Sequence, residues 1–74
     1  MIKEYVYPSP IIAERIQQIF NENHLTDRQV GEILKVERKT ILSYRKAISN
    51  PSIKFVRWLC KTYNVDVKWL LDLE

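Results

Sequence analysis

Apolar residues along this chain recur at helical spacing, and polar or proline-containing breaks divide them into short groups. Ser9 followed by Pro10 predicts the first helix start, a serine N-cap with proline at the first helical position, where its missing N–H is no loss. Ile12, Ile16, Ile19 and Phe20 then share one face. Asn21, Asn23 and His24 end the helix, with Asn23 or His24 as its left-handed residue. Thr26-Asp27-Arg28-Gln29 is a capping box, and Val30, Ile33 and Leu34 supply the buried stripe of the second helix. Only a few residues around Lys35 and Val36 precede the next pattern, in which Thr40, Ile41 and Tyr44 fall on one side. Ser49-Asn50-Pro51-Ser52 is a turn with Ser52 as cap of a fourth helix. Val56, Leu59, Cys60 and Tyr63 give that helix its inward face. Asn64 suits a left-handed end, Asp66 caps a last helix, and Trp69, Leu70 and Leu71 give it a large apolar surface. The pattern predicts an all-α domain of five short helices over residues 10–74. Residues 1–9 form an arm whose aromatic and β-branched residues are kept out of a helix by Pro8 and Pro10.

Composition narrows the classes. A chain of 74 residues is one domain, and at this size it buries only about 60% of its extended surface. The single cysteine, Cys60, has no disulfide partner and lies in an apolar helical pattern, so it reads as a small core residue. His24 has no spaced Cys, His or carboxylate partners and predicts no metal site. No apolar run approaches about 18 residues, and no leader pattern opens the chain; a soluble cytoplasmic protein is expected. Neither a nucleophile paired with a base, nor a carboxylate pair, nor a phosphate-cradling glycine loop is evident, so no enzyme, cofactor or small-molecule substrate is expected. Net charge is +3, and its distribution is more informative. Arg28, Lys35, Arg38, Lys39, Arg45, Lys46, Lys54, Arg57 and Lys61 occupy the middle, against Asp27, Glu32 and Glu37. Such a centre suits phosphate or an ordinary solvated face, and charge alone does not separate the two.

Two short helices joined by so tight a link must cross steeply, the geometry of a helix-turn-helix. The run from Ile12 to Leu71 resembles the Cro/CI-type (XRE-like) helix-turn-helix domain of phage repressors and bacterial regulators. The features that carry the resemblance come in order: Leu25-Thr26 opening the second helix, Val36 in the turn, and Thr40-Ile41 with Tyr44 in the third helix. Asn50-Pro51-Ser52 then precedes the fourth, and Val65-Asp66-Val67-Lys68-Trp69-Leu70-Leu71 closes the domain. The resemblance implies a five-helix, lambda repressor-like DNA-binding fold whose third helix enters the major groove. By position, Arg38, Lys39, Thr40 and Ser43 would face base edges, and Arg28, Lys46 and Lys54 would hold phosphates. The function implied is a small regulator of a phage lysis/lysogeny switch, binding a two-fold symmetric operator as a homodimer.

The sequence also departs from the family's pattern. The glutamine usual at the start of the second helix is Asp27, an anion beside an anion. The serine or threonine usual at the start of the recognition helix is Glu37, a carboxylate suited to capping a helix and ill suited to phosphate. The small residue where the helices touch is Gly31, and the glycine expected in the turn is Lys35, which calls for a left-handed backbone. Leu42 lies on the outer side of its helix, and Phe55 and Trp58 fall on a flank apart from the inward face. These residues, with Tyr5 and Tyr7, exceed what so small a core can hold, and exposed apolar patches mark partner surfaces. Asp27, Glu37, Leu42, Phe55 and Trp58 therefore support an alternative role as an antirepressor, or modulator of repression. Such a protein binds a partner repressor's DNA-binding domain and blocks its operator-reading surface. In the bland alternative, Tyr5, Val6 and Tyr7 fold over Phe55 and Trp58 as added core.

Overall fold

The computed structural model describes residues 9–73. They form α1 (Pro10–Glu22), α2 (Asp27–Leu34), α3 (Arg38–Arg45), α4 (Ile53–Tyr63) and α5 (Val67–Leu70), with no strand among the described residues. Apart from Ser9, the expected arm, with Tyr5, Val6 and Tyr7, lies outside them.

Helix starts follow the side chains that can hold free backbone N–H groups. Ser9 accepts from Ile12 N and is followed by Pro10 at the first turn of α1. Thr26 and Gln29 form the reciprocal capping box on α2. Ser52 accepts from Phe55 N at α4, and Asp66 from Lys68 N at α5. Glu37 departs from this pattern: it stands at the N-cap of α3 but makes no side-chain capping bond.

The helix ends share one device. His24, Lys35, Ala47, Asn64 and Asp72 all have positive φ, between 54° and 61°. In each case the next residue's N–H returns to a carbonyl five residues back, as in Leu25 to Phe20, Val36 to Gly31, Ile48 to Ser43, Val65 to Cys60 and Leu73 to Lys68. This is the Schellman closure, usually built on glycine. Here the chain's single glycine stands at none of these positions. A left-handed L-residue carries roughly 1–2 kcal/mol of strain, least for Asn and Asp.

The glycine serves a different need. A Cβ at Gly31 would lie 2.8 Å from the carbonyl oxygen of Val36, so only glycine lets residues 35–37 double back against α2. That close return carries α3 directly onto α2.

Ile12, Ile16, Ile19 and Phe20 of α1, Val30 and Leu34 of α2, Ile41 and Tyr44 of α3, Val56, Leu59 and Cys60 of α4, and Leu70 of α5 form one core, as the spacing predicts. Two expectations fail. Ile33, placed in the buried stripe of α2, is 56% exposed; an eight-residue helix pressed on its neighbours along Val30, Gly31 and Leu34 leaves it outside. Phe55, expected on an exposed flank, is 1% exposed. Its ring packs 5.0 Å from Tyr44 and 6.4 Å from Phe20, centroid to centroid. Rings from α1 and α3 thus cover the first turn of α4 on a side that the spacing of its inward stripe does not mark.

Candidate nucleic-acid interface

At the start of α2, the Asp27 carboxylate is mostly buried. Arg45, in the last turn of α3, grips its carboxylate with two bonds, Nε to Oδ1 at 2.6 Å and Nη2 to Oδ2 at 2.5 Å. The third guanidinium edge donates to Gln17 Oε1 of α1 at 2.6 Å, and the cation lies 5.4 Å from the centre of the Phe20 ring. One buried-side arginine thus joins the first three helices, with its own side chain 21% and that of Asp27 17% exposed. Bidentate geometry of this kind is the strong form of the ion pair.

With Asp27 turned inward, the outer face belongs to cations. A shallow depression of about 520 Å³ is lined by Thr26, Asp27, Arg28, Arg38, Lys39 and Leu42. Arg28 is largely exposed and pairs with Glu32 one turn on, at 3.3 Å. Lys39 is exposed and reaches Glu37 at 3.2 Å. Arg38 is exposed at the first turn of α3, with no ion pair among the described residues. Leu42 is half-buried between these chains, so it forms the floor of the depression.

The remaining sequence-derived candidates are placed less uniformly. Thr40 is half-buried. The half-buried Ser43 hydroxyl donates to Thr40 O at 2.6 Å and lies 2.7 Å from the Ser49 hydroxyl, tying the end of α3 to the following loop. Lys46 is exposed at the C-terminal end of α3. Lys54 is exposed, and its Nζ gives one of its three donors to Leu34 O at 2.8 Å, capping the carbonyl end of α2.

Of the protein-partner candidates, Phe55 is core, which corrects its placement on an exposed flank, and Asp27 is held by Arg45 at the edge of the depression. Glu37 is exposed; Leu42 is half-buried. Trp58 is half-buried, edge-on to Tyr63 with centroids 5.8 Å apart, and lies on α4, away from the depression that Leu42 floors. Cys60 is buried, and burial, with the Asp66 carboxylate adding to it, pushes its thiol above the usual range. No metal-binding cluster of His, Cys, Asp and Glu occurs among the described residues, and none of their helices is long and apolar enough to cross a membrane.

The residues that sequence reasoning passed over are Arg45, Gln17 and Arg15. A signal for Arg45 existed: it stands one turn after Ile41 and next to Tyr44, on the border of the inward face. Arg15 of α1 binds the Trp69 carbonyl, stacks 5.2 Å from the centre of the Trp69 ring and approaches Asp72 at 3.5 Å, fixing α5 to α1. No family model, curated protein or solved structure matches this chain.

Proposed function

We propose that this chain is a small DNA-binding transcriptional regulator of the Cro/CI helix-turn-helix kind, with α2 and α3 as the helix pair and α3 as the recognition helix. One observation carries the reading: Asp27 is neutralised internally by Arg45, so the anion at the start of α2 does not oppose phosphate. Arg28, Arg38 and Lys39 then surround a single depression at the N-terminal ends of both helices, where the helix dipoles, and at α3 the N–H groups left without a side-chain cap, also favour phosphate. The narrow return at Gly31 holds α3 close and leaves its first turn outward.

In this reading Arg38 is the base reader, through its paired donors to guanine O6 and N7. Arg28 and Lys39 hold backbone phosphates, and Lys46 is a further phosphate contact on the same strand path. Ser43 and Lys54 are structural. The operator and a place in a phage genetic switch belong to the same proposal, as does dimeric binding. The antirepressor alternative retains Glu37, Leu42 and Trp58, but Leu42 and Trp58 line different concavities, and it is the weaker reading.

The test is a titration of the chain's own promoter DNA, followed by mobility shift at several salt concentrations. Wild-type binding should weaken with a log–log salt slope of about −0.9 for each phosphate held. Arg38→Ala should relax discrimination among operator variants by roughly tenfold or more, while Lys39→Ala should weaken binding evenly and flatten the slope by about one. Unchanged affinity in the double variant would exclude this surface. Loss of a neighbouring repressor's mobility shift on adding the chain, without any shift by the chain alone, would instead favour the antirepressor.

A further inference from the structure

The face formed by α4 and α5 lies outside the depression lined by α2 and α3, and differs from it in having several exposed apolar side chains and no carboxylate in its walls. It is apolar at its floor, and its rim is uniformly basic. Ile53 is 78% exposed and Val67 43%. Two adjoining concavities, of about 760 and 350 Å³, share Ile53, Arg57 and Val67 in their walls. Trp58 lines the larger one, with Lys54, Arg57 and Lys61 around it.

The charge on this face has no internal answer. α4, with the sequence IKFVRWLCKTY, contains three cations and no carboxylate. Between Pro51 and Lys68 the one acidic residue is Asp66, whose carboxylate is turned onto Lys68 N at 2.9 Å as a helix cap. Lys54 is engaged at Leu34 O, but Arg57 and Lys61 have no hydrogen-bond or ion-pair partner among the described residues. Phosphate alone would satisfy the cations but leave the isoleucine, valine and indole against a polar backbone. A partner that answers both features carries an apolar stripe flanked by carboxylates. α4 has 11 residues, a length of about 16 Å, which matches two to three turns of an amphipathic helix presenting side chains at i, i+3, i+4 and i+7.

We infer that the α4–α5 groove, built on Ile53, Trp58 and Val67 and rimmed by Arg57 and Lys61, is a docking site for an acidic amphipathic helix of a partner protein. It is separate from the DNA-facing surface and stands whether or not that surface binds DNA. Ile53 and Val67 take the partner's apolar side chains, the Trp58 ring gives a rigid contact at the groove's edge, and Arg57 and Lys61 pair with its flanking carboxylates. The two cations select for sign, and the apolar floor gives the affinity.

Two synthetic 14-residue peptides test this, both with leucine at i, i+3, i+4 and i+7, one with glutamates and the other with lysines at the flanking positions. Amide shift mapping on the wild-type chain should show the glutamate peptide perturbing α4 and α5, and the lysine peptide producing at least tenfold weaker binding. Arg57→Glu with Lys61→Glu should weaken the glutamate peptide at least tenfold, Ile53→Asp should do the same, and Arg38→Ala with Lys39→Ala should leave it unchanged. Equal binding of both peptides, shifts centred on α2 and α3, or no binding would overturn the inference. So would self-association of the chain that Ile53→Asp abolishes, which would make a second copy the occupant.

Discussion

Two helix starts, those of α2 and α3, carry a carboxylate in a place where sequence alone gives both the same meaning. Asp27 and Glu37 each stand at the positive end of a helix dipole, and each threatens to repel phosphate. Their surroundings divide them. Asp27 has a capping box above it that already holds the free N–H groups, so its carboxylate is available to turn inward, where Arg45 meets it with two short bonds. Glu37 has no side-chain capping bond and no cation beneath it, and its carboxylate reaches along the surface to Lys39 at 3.2 Å. One acid is part of the frame joining three helices; the other is a solvated pair on the face where contact with DNA is proposed. The sign of a residue thus says little about its role until the direction of its side chain is known.

The sharpest way to break the comparison is to remove Asp27. Asp27→Ala strands a mostly buried guanidinium that keeps Gln17 and the Phe20 ring but no counter-charge, and should lower stability by roughly 2–3 kcal/mol in a urea titration, short of the penalty for a fully buried charge. Asp27→Leu combined with Arg45→Met should recover much of that loss, because the desolvation burden goes with both partners. A loss below about 0.5 kcal/mol for Asp27→Ala would put the pair in the class of surface bridges and return Asp27 to the exterior.

Smaller effects come from the link that joins the two starts. Gly31→Ala gains helix propensity of about 1 kcal/mol but drives a Cβ to 2.8 Å from a backbone oxygen that cannot swing aside. The net outcome should be a loss of roughly 1–2 kcal/mol, with chemical shift changes concentrated at residues 35–38 as α3 shifts outward. Lys35 sits left-handed at φ 61° and Ala47 at φ 58°. Lys35→Gly and Ala47→Gly should each stabilise, by under about 1 kcal/mol, since glycine relieves the strain but adds freedom to the unfolded chain. Thermal melts that move downward for both would show that these ends are held by contacts of the side chains themselves.

How much of this was legible in the sequence follows from range. Caps are local: Ser9, Thr26, Ser52 and Asp66 act within three residues, and each reads correctly. The left-handed Lys35 and Asn64 also read correctly, as does the close approach at Gly31, because a helix end is set by its own few residues. Burial of a helix that meets several neighbours at once is not local. Phe55 lies off the main stripe of α4 yet is buried against Tyr44 and Phe20, and Ile33 lies on the stripe of α2 yet is exposed. The pairing of Asp27 was not legible for the same reason, since its partner is 18 positions away. The exposed first turn of α3, with Arg38 and Lys39, was legible because the inward positions Ile41 and Tyr44 leave it only one direction.

Glu37→Gln changes least and discriminates most. Its pair with Lys39 has side chains 71% and 82% exposed, so the substitution should alter stability by less than about 0.5 kcal/mol. Its effect on DNA depends on what the carboxylate does. If Glu37 merely shields Lys39, the amide releases that ammonium and removes an anion from the phosphate path; affinity should rise a few-fold for every sequence, and the salt slope should steepen by about one. If the carboxylate instead accepts from a cytosine amino group, affinity should fall at one operator position and nowhere else. An even rise makes Glu37 a brake on a cationic surface; a position-specific fall makes it a reader beside Arg38. Binding that is unchanged on both counts places the start of α3 away from DNA altogether, and then the difference between the two carboxylates is one of stability alone.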